Sequence, residues 1–250
     1  MKTTIFTTLI IVFMFTISVY SQNFKHELGL SVGVISMQTD YGERGHFASS
    51  YGNIGFGVGA AYYLSFDEYR VRWNDKTTFL KNHFRLKIGA SYMKDNFIHR
   101  GKYIESNSVS SLKMAAMRGS TKILNIGGQI EYYIFDFMSD KKLEPYLSGG
   151  LYYVFYDPEL ESELGNWRDD PNLIPSVYQN GSIQLQKDKT QSFSFGAGTR
   201  YNSGDLTMVF DFRWQKFLSD NVDGLNPLLG ANKFRDWLLF AQIGVVFKIN

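Results

Sequence analysis

Apolar and polar residues alternate with a period of two through most of the chain, a pattern typical of β-strands with one apolar face. In the clearest segment, Phe210 and Phe212 flank Asp211. In another segment, 143–156, the alternation does not decide which side chains share the apolar face. The sequence predicts an all-β fold of eight antiparallel strands, centred on residues 28–34, 54–64, 86–92, 124–134, 143–156, 193–201, 206–214 and 239–247.

The composition of the less apolar strand face indicates whether water or lipid surrounds the predicted strands. A face in open water would carry many Lys, Glu and Thr residues, but this face is mainly Gly, Ser, Ala and Gln with a few charges. Because side chains just fill the interior of an eight-stranded barrel, such small residues belong inside. The apolar face then points outward to lipid. We therefore expect an eight-stranded, up-and-down transmembrane β-barrel; a soluble barrel with an apolar interior is the alternative.

The connections between the segments agree with a barrel that has both chain ends on the inner side of a membrane, because the outer loops are mostly longer than the inner turns. One inner connection, 65–82, is long and rich in charged residues, which makes it a candidate docking element for a protein partner. Outer loops are predicted over 37–52, 94–120, 157–190 and 218–233, and inner turns over 65–82, 136–142 and 202–205.

The N-terminal residues predict export. A charged start precedes an apolar stretch from Ile5 to Ile17, and Val19 and Ser21 fit a V-x-S cleavage site. The apolar stretch is shorter than the roughly 20 residues that a spanning helix needs. We expect residues 1–21 to be a signal peptide for Sec-type export and residues 22–250 to be the barrel.

Charge and composition exclude several classes of function. The formal net charge is only +2, so there is no basic excess of the kind that nucleic-acid binding requires. The chain has no cysteine, which rules out disulfides, thiolate metal sites and thiol nucleophiles. We predict that the protein uses no cofactor.

The C-terminal strand resembles the β-signal that the outer-membrane barrel assembly machinery reads. The residues that carry the resemblance are Gln242, Gly244, Phe247 and Ile249. The mature chain also resembles the small, uncharacterised outer-membrane β-barrel proteins of Bacteroidota. That second resemblance is carried by an early motif, followed by a glycine-rich strand at 53–59, and the motif consists of Asp40, Tyr41, Gly42, Glu43 and Arg44. The resemblances imply an integral outer-membrane protein that contacts lipid and the assembly machinery.

Seven charged residues fall on the inward frame of the predicted strands, four of them positive and three negative. Because unpaired buried charge is costly, a paired structural network is the first interpretation. A gated pore, in which exchange of ion pairs opens a path, is the second. The seven residues are Glu27, Arg85, Lys87, Glu131, Arg200, Asp211 and Arg213.

No catalytic spacing emerges from the polar loop residues. His46 and His99 are the outer-loop histidines, and an acyltransferase or lipase would need one of them beside a nucleophile such as Ser106 or Ser108. We predict a non-enzymatic barrel with a structural or interaction role through its outer loops, including residues 40–44. The alternatives are an accessory subunit of an outer-membrane insertion, secretion or transport complex, and a narrow pore.

Overall fold

The computed structural model of the protein describes residues 24–41, 52–66, 79–102, 104–135, 142–179, 181–203, 206–226 and 236–249. The predicted signal peptide lies outside these residues. So do Gly42, Glu43 and Arg44 and most of the predicted docking segment 65–82. Those predictions stay predictions.

Eight strands form one closed antiparallel barrel, in which each strand pairs with its neighbours in the chain and the first pairs with the last. The prediction of eight strands in up-and-down order is confirmed. The strands are β1 (Phe24–Gln38), β2 (Ile54–Phe66), β3 (Phe84–Ile98), β4 (Met117–Tyr133), β5 (Leu143–Ser162), β6 (Asp188–Ser203), β7 (Leu206–Phe217) and β8 (Trp237–Ile249).

The two ends of the barrel carry different connections. We call the end with the connections 39–53, 99–116, 163–187 and 218–236 the loop end, and the opposite end, where β1 begins and β8 ends, the turn end. The helix α1 (Phe79–His83) lies at the turn end, and α2 (Val109–Ala116) lies at the loop end with two 3-10 turns, Pro171–Leu173 and Ser176–Tyr178. In the described ranges, no helix is long and apolar enough to cross a membrane.

An apolar belt surrounds the outside of the barrel. Outward side chains such as Leu30, Leu151 and Phe195 keep 59%, 61% and 61% of their surface exposed. The ambiguous frame of β5 is now settled, because Leu147, Leu151 and Phe155 are exposed whereas Tyr146 and Tyr152 are buried. Apolar side chains therefore point out and most polar ones point in along this part of the strands, as the composition predicts.

The predicted loop boundaries 94–120 and 157–190 are wrong, because strand pairing continues well into both. β4 pairs with β5 as far as Met117 and Ser162. β3 extends to Ile98, and β6 already begins at Asp188. The alternation hides this continuation because the outward positions become polar and the inward positions become apolar beyond the belt.

Inward glycines make room for inward tyrosines. A methyl group added at Gly29 would lie 2.8 Å from the Tyr63 ring, and one added at Gly198 would lie 2.5 Å from the Tyr146 ring. The small residues on the inward face therefore do not line a lumen. They are the wall against which large side chains pack.

Candidate functional site: the filled interior and the loop end

A buried ion network occupies the turn-end half of the interior. The Arg200 guanidinium lies 2.7 Å from a Glu27 carboxylate oxygen and 3.8 Å from an oxygen of Glu131, and all three side chains are at most 2% exposed. Arg85 lies 4.0 Å from the same Glu27 oxygen. The strands β1, β3, β4 and β6 each contribute one of these residues, so the network joins distant parts of the barrel wall.

Tyrosines complete this network, and the sequence analysis missed them. The Tyr133 hydroxyl donates to Glu131 at 2.6 Å and accepts from Arg85 at 2.9 Å. The Arg200 guanidinium lies 4.3 Å from the centre of the Tyr63 ring, a cation–π distance. The alternation could have predicted this role, because Tyr133 and Tyr63 share the inward frame with the charges. It was missed because aromatic residues near strand ends more commonly point outward.

The remaining three predicted charges lie closer to the middle of the barrel. Asp211 accepts hydrogen bonds of 2.7 Å from the Tyr146 hydroxyl and from the Gln242 side-chain amide. Arg213 donates to the Tyr152 hydroxyl at 2.9 Å. Lys87 is buried and its ammonium lies 5.7 Å from the centre of the Tyr63 ring. The structure thus places all seven predicted charges inside the barrel.

The loop-end half of the interior is mainly apolar, although Asp95, Thr121 and Gln215 are also buried there. This corrects the expectation of small residues and a sparse polar network throughout. The physical reason is that the outward side chains beyond the belt are polar, so burial of apolar side chains on the inward face is what stabilises this part of the barrel, as in an ordinary hydrophobic core. This core contains Ile35, Met37, Met93, Phe97, Met117, Ile123, Val154, Tyr156, Leu160, Phe217, Leu238 and Phe240, among others.

A small cavity lies between the two halves of the interior. It is lined by Lys87, Asp211 and Arg213 together with small residues of the wall, and its volume is about 30 Å³. Such a volume is close to that of one water molecule. In the part of the chain that the structure describes, side chains fill most of the interior on both sides of this cavity.

Connections from three places meet above the apolar core and cover the loop end. The Tyr178 hydroxyl donates to the Asp40 carbonyl at 3.3 Å, and the Asp40 amide donates to the Asp223 carboxylate at 2.9 Å. Ile183 and Leu225 form an isolated antiparallel bridge. Residues 39–41, 163–179, 181–187 and 218–226, with Asp236 bonded to the Val222 amide, thus form one cap, which we call the loop-end cap.

Buried carboxyls lie within this cap. Burial raises the pKa of Asp223 to about 7, although its carboxylate accepts amide hydrogen bonds from Leu225 and Asp40. Burial and the neighbouring Asp223 carboxyl raise the pKa of Asp236 well above its ordinary value. Among the described residues, no group of three or more His, Asp or Glu side chains is arranged to hold a metal ion.

His99 is packed as a structural residue rather than aligned with a nucleophile. Its ring lies 4.8 Å from the Tyr41 ring and 5.7 Å from the Tyr178 ring, centre to centre. Burial, followed by the charge of Arg118, lowers the pKa of His99 to about 4, so the ring is neutral near pH 7. Of the other catalytic candidates, His46 lies outside the described residues, whereas Ser106 and Ser108 bond to each other and to Ser111.

The residues with the predicted β-signal spacing all lie on β8. Gln242 has an internal function, since it accepts from Ser31 at 2.8 Å and donates to Asp211. Phe247 and Ile249 are outward and exposed. Recognition by the assembly machinery remains a prediction. In the early motif, Asp40 and Tyr41 belong to the loop-end cap.

Opposite charges pair across the strands beyond the belt. Lys122 lies 2.7 Å from Glu159, and Arg118 lies 2.8 Å from Glu163. Both pairs connect the loop ends of β4 and β5 and are solvent-exposed. Each pair adds little to stability. Together they make the outer surface of the barrel polar in this region.

Several solved structures are similar to this chain, and the first named here supports the fold. A major outer membrane protein from Thermus thermophilus is 13% identical with a TM-score of 0.51, and the match covers 90% of this chain and 99% of that one. Neisserial surface protein A is 10% identical with a TM-score of 0.44, covering 90% and 97%. The attachment invasion locus protein Ail of Yersinia pestis, in complex with a heparin analogue, is 12% identical with a TM-score of 0.41, covering 90% and 99%. No protein-family model matches the chain, and no curated protein is significantly similar to it.

Proposed function

We propose that this protein is an integral outer-membrane barrel that holds an ordered binding surface at the outer side of the membrane, and that it neither conducts nor catalyses. The observation that carries the proposal is the reversal of polarity along the strands. Outward residues are apolar up to Phe155 on β5 and are polar at Asp157, Glu159 and Glu161. The apolar outward residues are suited to contact with lipid, and the polar ones are suited to contact with water.

The apolar belt supports the membrane anchor. Every strand contributes exposed apolar side chains to it, and a soluble protein rarely exposes a continuous apolar surface of that extent. A closed barrel also pairs its backbone groups between strands, which is what a bilayer demands of a spanning structure. The loop end then faces outward, because both described chain ends lie at the turn end, as in outer-membrane barrels.

The filled interior supports a non-conducting barrel. The ion network and the apolar core occupy the two halves, and a cavity of about 30 Å³ lies between them. Ions crossing this barrel would have to displace Arg200 and its carboxylates and then pass through apolar side chains. The gated-pore interpretation would require both halves to rearrange.

Apolar side chains at the tip of the loop end support an interaction role. Val109 and Leu112 lie one turn apart on α2 and are 69% and 60% exposed, and Leu164 is 51% exposed. These side chains lie beyond the polar rows of the strands and therefore beyond the bilayer. Exposed apolar groups on an ordered element in water are typical of a surface that binds another molecule.

Planar-bilayer recording tests the closed barrel. Purified protein, whose folding is verified by SDS-resistant mobility that is lost on boiling, should insert without producing stepwise currents. The double variant Arg200→Ala/Phe240→Ala lacks one large side chain in each half of the interior. It serves as the positive control and should produce currents. Large ion-selective currents from the unmodified protein would overturn the proposal.

Photo-crosslinking tests the interaction surface in intact cells. A photoreactive residue at Leu112 should give a discrete adduct, and the same residue at Leu151 in the apolar belt should give lipid adducts only. Pretreatment that removes surface proteins should abolish the Leu112 adduct. Identical adduct patterns at the two positions would argue against a binding surface on α2.

A further inference from the structure

A groove on the outside of the barrel lies where the apolar belt ends. Its volume is about 470 Å³, and it spans the strands β3, β4, β5 and β6. Below, it is bounded by Tyr92, Leu124 and Phe155, which are 48%, 38% and 41% exposed. Above, its rim contains Lys122, Asp157, Lys187, Asp188 and Lys189.

Strand register sets the apolar part directly below the charged part. Tyr92 pairs with Leu124, and Leu124 pairs with Phe155, so the three form one row across the wall. Lys189 ends this row, because it pairs with Phe155 on the neighbouring strand. The next outward row towards the loop end contains Lys94 opposite Lys122. Residues two apart on a strand are separated by about 7 Å. That offset is close to the depth of one headgroup layer, roughly 5–8 Å on each side of a bilayer.

The lysines around this groove outnumber the carboxylates by one. The lysines are Lys94, Lys122, Lys187 and Lys189, and the carboxylates are Asp157, Glu159 and Asp188. Lys122 pairs with Glu159 at 2.7 Å and Lys187 pairs with Asp157 at 3.0 Å. Lys94 and Lys189 make no ion pair within the described ranges of the chain. Lys94 is also directly opposite Lys122, and like charges in opposing positions destabilise a strand pair. The free energy of this arrangement improves when an anion lies between the ammonium groups.

We propose that the groove binds the phosphate-bearing headgroup of a lipid in the outer leaflet. The ammonium groups of Lys94, Lys122 and Lys189 contact the phosphate, and an acyl chain runs down the wall over Leu124 and Phe155. Only an amphiphile satisfies both rows at once, because a soluble anion gains nothing from the apolar row and a neutral lipid gains nothing from the lysines. This inference rests on the membrane location proposed above.

The test uses the full-length mature protein in phosphatidylcholine nanodiscs, with and without one tenth phosphatidic acid. Native mass spectrometry counts the phosphatidic acid molecules retained when the disc is removed. The variant Lys94→Gln/Lys189→Gln leaves both ion pairs intact, and it should weaken retention about fivefold for each lysine removed. Glu159→Gln should strengthen retention because it releases Lys122.

The control variant Lys142→Gln/Lys216→Gln removes the same charge elsewhere, at the turn end and on β7. It should retain phosphatidic acid as the unmodified protein does. Equal loss in both double variants would mean general electrostatic attraction and would overturn the site. Equal retention of phosphatidic acid and phosphatidylcholine by the unmodified protein would overturn it as well.

Inorganic phosphate separates a lipid from a soluble ligand. Phosphate added to protein in a neutral detergent should not compete with phosphatidic acid; efficient competition would assign the groove to a soluble anion and refute a lipid site. Insertion into phosphatidylcholine discs, with heat-dependent mobility on a gel, reports the membrane location separately. Protein that inserts but retains no phosphatidic acid refutes only the lipid site.

Discussion

The two halves of this barrel share one wall and one alternation but have opposite interiors. In the turn-end half of β5, Leu147 points outward and Ser148 points inward. In the loop-end half of the same strand, Glu159 points outward and Leu160 points inward. The period of two continues through both halves. The medium outside the barrel therefore decides which kind of residue occupies each face, and the strand itself does not.

The two interiors are also stabilised by different forces. Around the loop-end half, burying apolar side chains removes them from water, and each large side chain contributes about 1.5–3 kcal/mol. In the proposed membrane location, the apolar side chains of the turn-end half face lipid instead, so the interior there depends on ion pairs, tyrosine hydrogen bonds and cation–π contacts. We expect the two halves to respond differently to substitution.

Removing the central cation of the ion network should have the largest effect. Arg200→Met leaves Glu27 and Glu131 buried without the cation that lies between them, and this should lower the free energy of unfolding by about 3–5 kcal/mol. Urea unfolding in lipid vesicles, followed by tryptophan fluorescence, measures it. Replacing all three residues by Met or Leu should restore much of the loss. A cost below about 1 kcal/mol for the single variant would show that the network is not what stabilises this half.

A charge on the outer wall should be costly in one half only. Phe210→Arg, near the middle of the apolar belt, should lower the free energy of unfolding by about 2–4 kcal/mol. Asn96→Arg, outward on β3 beyond the belt, should change it by less than about 0.5 kcal/mol. The same vesicle titration measures both variants. Equal costs would place both positions in the same medium and remove the distinction between the halves.

The sequence predicts the belt half of the fold well and the other half poorly. Segments such as 206–214 alternate cleanly, so the strand count, the order and the inward charges follow from pattern alone. On β5 the pattern is unreadable because Val154 and Tyr156 are inward and apolar while Tyr153 and Phe155 are outward and apolar. Alternation does not separate the faces there. The loop-end cap could not be predicted, since its contacts join residues far apart in the chain.

Close packing of tyrosines against glycines gives a matched test of intermediate size. Gly119→Val should lower the free energy of unfolding by about 1–3 kcal/mol, since its first added carbon would lie 2.4 Å from the Tyr41 ring. Gly149→Val adds the same atoms to the outward wall, where no other atom lies within 4 Å, and should be nearly neutral. Unfolding titrations of the two variants measure the difference. A neutral Gly119→Val would mean that the loop-end core is loosely packed.

The smallest effect should be a local dependence on pH in the loop-end cap. Because the pKa of Asp223 is raised to about 7 in the folded cap, its contribution to stability is complete below its ordinary pKa and is lost as the pH rises through about 7. Hydrogen exchange of residues 218–226, corrected for intrinsic rates, should therefore show weaker protection at pH 8 than at pH 5. Asp223→Asn should reduce that difference. A belt residue such as Ile126 should show no such change.

The most direct test of the polarity reversal is accessibility along β5, made simple by the absence of native cysteine. Single spin-labelled cysteines replace Leu147, Leu151, Phe155, Glu159 and Glu161 in turn, and collision rates with oxygen and with a water-soluble nickel complex are measured in bilayers. The first three positions should favour oxygen and the last two should favour nickel, with the change between Phe155 and Glu159. Uniform preference for either reagent along the whole strand would contradict the account.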